Sequence, residues 1–187
     1  MNTPTCPIVL AAVMATLSGS ALSLSGCQTE PKSQEEKSSL ESDARAALDG
    51  FRNADSGLQK ELDRAAGYAV LPDVGKAGLL VGGSYGKGVV YENGVMVGYC
   101  DLTQGTVGLQ AGAQTFSELI IFRDQAALDH FKGGDFTFAA NASAVAIKPG
   151  AAASLDYHDG VAVLVNAKGG LMAEAAIGGQ KLRYEPR

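Results

Sequence analysis

Between residues 40 and 66 the apolar positions Ala44, Ala47, Leu48, Phe51, Leu58, Leu62 and Ala65 recur close to every 3.6 residues. That spacing puts one stripe of a helix against a core. Ser42 is placed to cap the first turn, and Asn53-Ala54-Asp55-Ser56-Gly57 divides the segment into two helices. The opposite face mixes both signs of charge, with Glu41, Asp43, Asp49, Asp55, Glu61 and Asp63 against Arg45, Arg52, Lys60 and Arg64. A helix lying in a bilayer surface carries an excess of Lys or Arg and larger apolar residues, so this one is expected to pack on its own domain.

From residue 68 the pattern becomes that of strands. Residues 68–94 combine Val, Leu and Tyr with glycine at 75, 78, 82, 83, 86, 88 and 94. Glycine contributes no side chain to a sheet, so such a run marks bulges, bends or close backbone approach. It ends on Asn93-Gly94, a hairpin turn. Residues 95–102 are apolar on both alternations, residues 107–113 alternate, and residues 117–122 add a further strand. Asp124 is placed to cap a short helix that points Leu128 and Phe131 inward and stops at Gly133-Gly134. Residues 136–148, 151–157, 161–166 and 171–177 complete the strand set. Turns are expected at Lys148-Pro149-Gly150, Tyr157-His158-Asp159-Gly160 and Lys168-Gly169-Gly170. The fold class is therefore α+β: a strongly curved, mostly antiparallel sheet or partly closed barrel, with N-terminal helices and one short internal helix.

The first 26 residues read differently. Residues 7–26 are apolar or small and uncharged, and they end on Leu24-Ser25-Gly26-Cys27, which resembles the lipobox of a bacterial lipoprotein signal peptide. In that reading residues 1–26 are removed, the Cys27 thiol is acylated, and residues 27–41 form the lipidated N-terminus and a polar tether, leaving residues 42–187 as one domain. No Lys or Arg precedes the apolar stretch, a departure from the usual signal. About 20 such residues could also span a bilayer uncleaved, but Ser18, Gly19, Ser20, Ser23, Ser25 and Gly26 make the second half weakly apolar. Of the three cysteines, Cys6 would leave with the signal and Cys100 would remain a free thiol, so no disulfide framework exists. Gln28, where aspartate would retain a lipoprotein at the inner membrane, points to the outer membrane, facing the periplasm. With 15 basic and 20 acidic side chains, a net charge of −5, the chain lacks the positive face a nucleic-acid partner requires.

Catalytic patterns are sparse. Gly82-Gly83-Ser84-Tyr85-Gly86 fits G-x-S-x-G, and Asp124, Asp129, Asp135 and Asp156 all precede His158, so the order of a Ser84 triad is present. A nucleophile elbow needs a helix leaving the serine, whereas Lys87-Gly88-Val89-Val90-Tyr91 reads as strand. Gly86-Lys87 lacks the remaining residues of a phosphate-binding loop, with Val81 and Gly88 where glycine and Ser or Thr belong. His130 and His158 stand apart from any metal-ligand cluster. No enzyme activity, metal or cofactor is expected, and Asn141-Ala142-Ser143 is a glycosylation sequon in form alone.

Taken in order, Val74-Gly75-Lys76, Gly82-Gly83, Tyr85-Gly86-Lys87-Gly88-Val89-Val90-Tyr91, Gly105-Thr106-Val107-Gly108-Leu109-Gln110 and Gly169-Gly170-Leu171-Met172 resemble the SYLF lipid-binding domain family, over roughly residues 58–187. Eukaryotic members are associated with phosphoinositide-rich membranes and some with actin. For a bacterial envelope protein the resemblance implies a capacity to bind membrane phospholipid. Lys76 and Lys87 lie among glycines that would admit a phosphate to ammonium and backbone N–H alike; Lys168 and Lys181 flank the last glycine-rich segment. These four are the candidate headgroup contacts. The expected function is that of a non-enzymatic, lipid-anchored envelope protein whose domain binds phospholipid. The alternatives are a structural or stress-related interaction lipoprotein without a lipid ligand, and a hydrolase using Ser84.

Overall fold

A computed structural model describes residues 33–134, 136–138 and 144–187. The signal segment, Cys27, Asp135 and the sequon at 141–143 lie outside the described residues. Helix α1 runs Gln34–Ala54 and α2 Leu58–Leu62, with the break where the sequence places it. The first turn begins earlier than expected, because Ser33, not Ser42, is the N-cap and its hydroxyl accepts from the Glu36 N–H at 3.1 Å. The helix therefore takes in about half of the stretch read as tether: Glu35 and Glu36 in its first turn favour the positive end of the helix dipole, which the lack of apolar residues did not reveal. Ala44, Leu48 and Phe51 are buried against the sheet. At the break, the Asp55 carboxylate accepts from the N–H of Gly57 at 2.9 Å and of Ala152 at 2.8 Å. These bonds, chiefly that from Ala152, hold its pKa below the usual carboxylate range.

Three long strands make the sheet. Strand β1, Gly67–Glu92, turns at Asn93-Gly94 into β2, Val95–Phe122, and β5, Val161–Pro186, pairs antiparallel along the other edge of β2. Between β2 and β5 come α3, Gln125–Lys132, the short strands β3, Phe136–Phe138, and β4, Ala144–Ala146, and a 3₁₀ turn at Ala152–Ser154. Both short strands pair with β5, β3 antiparallel and β4 parallel. The result is a curled half-barrel in an α+β fold. Helix α3 is capped as expected, with the Asp124 carboxylate accepting from Ala127 N–H at 3.0 Å, and Leu128 and Phe131 are buried.

Three expectations need correction. The separate strands expected at 95–102, 107–113 and 117–122 are one continuous β2. Residues 161–166 and 171–177 likewise belong to one β5, and Lys168-Gly169-Gly170 is no turn but a bulge, where the register jumps from Phe116–Ala167 to Thr115–Gly169. Residues 152–154 form a 3₁₀ turn rather than strand, since Ala152 N–H is spent on Asp55 instead of on a sheet ladder. The turns at 149–150 and 158–160 stand as expected; Asp159 and Gly160 both have positive φ, which suits a tight hairpin.

A 26-residue strand would be far too long for a compact domain if it were straight. β1 instead folds back on itself. Pro72 sits at a register shift between Leu71 and Val74, its carbonyl taken by the Ser117 hydroxyl at 2.7 Å. At the other end, Asn93 N–H reaches Ala66 C=O at 3.2 Å and Tyr68 stacks on Tyr91 at 5.0 Å. The two halves touch at Gly88, where a Cβ would lie 2.7 Å from Val70 O and 2.8 Å from Leu71 Cγ. Successive side chains then feed two cores. Tyr68, Val70, Leu119, Ile121 and Leu164 face α1, α2 and the 3₁₀ turn, whereas Ala69, Leu71, Ile120, Phe122 and Val163 face α3. Among the described residues no helix is long and apolar enough to cross a membrane.

Candidate functional site: a polar chamber inside the curl

The core that packs on α3 changes character along each strand. Two residues beyond Val74 on β1 stands Lys76; beyond Leu102 on β2 stands Gln104; two before Ile120 stands Glu118; two before Leu182 on β5 stands Gln180. A step of two keeps a side chain on the same face of a strand, so these four polar groups continue one apolar face. All four are buried, as are Ser84 and Thr106. Gln104 is paired in register with Ser84 on one side and Gln180 on the other, and its Oε1 accepts from the Ser84 hydroxyl at 3.1 Å. Across the curl, Gln180 Nε2 donates to Glu118 Oε1 at 2.7 Å.

Two cavities open here. One of 680 Å³ is lined by Lys76, Ser84, Gln104 and the glycine-rich backbone at 75, 83, 169 and 170; the other, of 200 Å³, holds Glu118 and Gln180 against Phe116 and Val165. Lys76, Gln104 and Gln114 line both. Gly170 closes part of the wall. It has φ of +93°, and a Cβ on it would run into the carbonyl of Ala113, so the strand passes there only as glycine. Burial pushes the Glu118 carboxyl up to about 7, against the smaller opposing pull of the Gln180 hydrogen bond and the Lys76 charge.

Beyond the chamber the three strands project as an arm with an apolar end. Leu79, Leu80, Val81 and Val107 are 73%, 59%, 68% and 68% exposed. Leu80 lies in a second register shift of β1 with φ of +67°, a conformation that leucine adopts only at a cost.

The four candidate lysines are not brought together. Lys76 is inside the chamber. Lys87 is half-buried and faces α1, in a 230 Å³ cavity with Leu40, Asp43 and Asp73. Lys168, at the bulge, pairs with Asp73 at 2.9 Å, and Lys181 is exposed on β5 opposite Thr103 and Thr137. Ser84 is no nucleophile elbow: β1 enters and leaves it as strand, and its hydroxyl is enclosed with Gln104. His158 is 56% exposed in its turn, 3.3 Å from Asp156. Among the described residues no group of His, Cys, Asp and Glu could hold a metal ion. Glu118, Gln104 and Gln180 were missed by motif reading. The signal that could have found them is a polar residue spaced by two from buried apolar ones on a strand.

Residues 103–185 match the family model of Ysc84, described as Las17-binding protein actin regulator. The matched stretch runs from β2 to the end of β5, less than half of the chain, and supports a SYLF domain here. It takes in the 105–110 and 169–172 motifs, while those at 74–91 precede it. No curated protein matches the chain.

Proposed function

We propose that this is a non-enzymatic, lipid-anchored envelope protein whose curled domain binds membrane phospholipid. The observation that carries the reading is the arm, which keeps Leu79, Leu80, Val81 and Val107 in solvent beside a buried, lysine-bearing chamber. A soluble domain gains nothing by exposing four large apolar side chains together; such patches mark contact surfaces. The Ysc84/SYLF family is associated with lipid binding and with actin regulation, and an apolar end beside a chamber able to enclose a headgroup suits the first. The anchor supports the same orientation. Only five residues separate Cys27 from Ser33, the cap of α1, and they reach at most roughly 20 Å from one to the other. The N-terminal half of α1 lies beside Asp73 and Lys87, the parts of β1 that lead into and out of the arm. Acyl chains on Cys27 would therefore enter the bilayer on the arm's side of the domain. Each buried CH₂ contributes about 0.8 kcal/mol, and two or three chains hold a protein on its membrane.

The test is co-sedimentation of residues 28–187, which lack the apolar leader and the acylated cysteine, with phospholipid vesicles. Binding is expected, weakened about tenfold or more by Leu79→Asp with Val81→Asp, whose exposed positions leave folding intact. An unacylated chain that binds no vesicle of any composition would overturn the reading in favour of an interaction lipoprotein without a lipid ligand.

A further inference from the structure

A buried carboxylate and a buried lysine in one chamber cost stability that apolar residues of the same size would not. Gln180 makes the arrangement more unusual. Only 2% of its surface is exposed, its Nε2 is committed to Glu118, and among the described residues nothing donates to its Oε1. Gln180 lines the 200 Å³ cavity together with Glu118 and Lys76. A buried acceptor left without a donor costs about 1–3 kcal/mol, so the cavity is built for a group that donates.

The charges narrow what that group is. A purely anionic ligand would bring negative charge to Glu118 and leave the Gln180 oxygen unpaired. A purely cationic one would satisfy Glu118 and Gln180 but meet Lys76. A primary ammonium offers three N–H donors to two neighbouring acceptors, and a phosphate a few bonds away would be attracted by Lys76. Phe116, Val165 and Ala167 supply an apolar wall for the short carbon link. We infer that the chamber formed by Glu118, Gln180 and Lys76 takes a primary ammonium joined to a phosphate, carried on a lipid headgroup or as the free aminoalkyl phosphate, an assignment that rests on the lipid-binding reading and specifies its ligand. A quaternary ammonium has no N–H and would leave Gln180 as unsatisfied as before.

The experiment uses residues 28–187, which lack both the apolar leader and the acylated cysteine, and four probes: soluble phosphoethanolamine by calorimetry, and vesicles of phosphatidylethanolamine, phosphatidylcholine or phosphatidylglycerol in a common neutral matrix. The expected result is measurable binding of phosphoethanolamine and at least tenfold preference for the ethanolamine vesicles over the other two. Gln180→Met should erase the preference without abolishing vesicle binding, and Glu118→Gln should weaken phosphoethanolamine binding at least tenfold. Glu118→Gln removes a buried charge and keeps its shape, so its melting temperature should not fall. Because the wild-type discrimination needs no chamber variant, the inference is tested even if one misfolds. Equal binding to all three vesicles with no phosphoethanolamine bound overturns the headgroup assignment and leaves lipid binding standing. Phosphoethanolamine binding without vesicle binding supports the chamber as a site for the free phosphate and overturns the membrane reading. If neither is bound, both fall.

Discussion

Glu118 shows how a single residue can tie stability to pH. Its folded pKa, raised to about 7 by burial, exceeds the value near 4.3 expected of an unfolded glutamate. The native state therefore binds its proton more tightly, and the stabilisation is complete below the unfolded pKa and lost as pH rises through the folded one. Stability from urea unfolding should fall between pH 5 and pH 8, by up to about 3 kcal/mol, and Glu118→Gln should flatten that slope. A wild-type profile that is flat or rising over this range would contradict it. Carboxylates with lowered pKa, such as Asp55 and Glu92, act oppositely and at the acid end, below their unfolded values. Ser84 offers a second check at this scale. Its hydroxyl makes a buried hydrogen bond to Gln104, so Ser84→Ala should cost about 1 kcal/mol, read as a drop in unfolding midpoint. Labelling of the wild type by a fluorophosphonate, lost in the variant, would restore the hydrolase reading.

At the scale of elements, the long strands depend on glycine where the sheet curls on itself. Gly88 lies between the two halves of β1, and a methyl group there would sit 2.7 Å from Val70 O and 3.0 Å from Cys100 Sγ. Val70 O is backbone in a fully buried layer and cannot swing aside, so Gly88→Ala should destabilise the domain by about 1–3 kcal/mol through overpacking, read as a drop in unfolding midpoint. Gly94→Ala makes a useful contrast: no atom lies within 4 Å, and only its φ of +77° resists the change. Equal losses at both sites would mean that backbone strain, not the closeness of the two halves, governs. The helices were legible at this scale because the 3.6-residue stripe of α1 and the cap of α3 are local signals. The continuity of β2 and β5 was not, because glycines and small residues in mid-strand look like turns until a neighbouring strand is seen to pair straight through them.

For the whole molecule the proposed acylation of Cys27 is the decisive feature to test. Cys27→Ser should abolish incorporation of radiolabelled fatty acid and leave an unprocessed precursor, since no other cysteine follows a lipobox-like sequence. Label persisting in that variant would remove Cys27 as the acylated residue. The four lysines make the opposite point about legibility. Read along the chain they looked like one family of headgroup contacts, yet Lys168 is drawn to Asp73 and Lys87 faces α1, while Lys76 alone enters the chamber. Charge next to glycine indicates accessible backbone; it does not say which face of a curled sheet the charge meets.

The fold class, the helix break at residues 53–57, the cap and inward face of α3 and the hairpin at Asn93-Gly94 could be read from the residues alone, because each rests on spacing or turn chemistry within a few residues. That β1 doubles back and that Glu118, Gln104, Gln180 and Lys76 line one cavity is visible only once the strands are paired. Leu71 and Val165 flank Glu118 in register, while its hydrogen-bond partner Gln180 lies 62 residues away along the chain. Such a meeting depends on how far a sheet curls, which is set by bulges and by backbone contacts between distant glycines and strands, and those are properties of the pairing rather than of any segment alone.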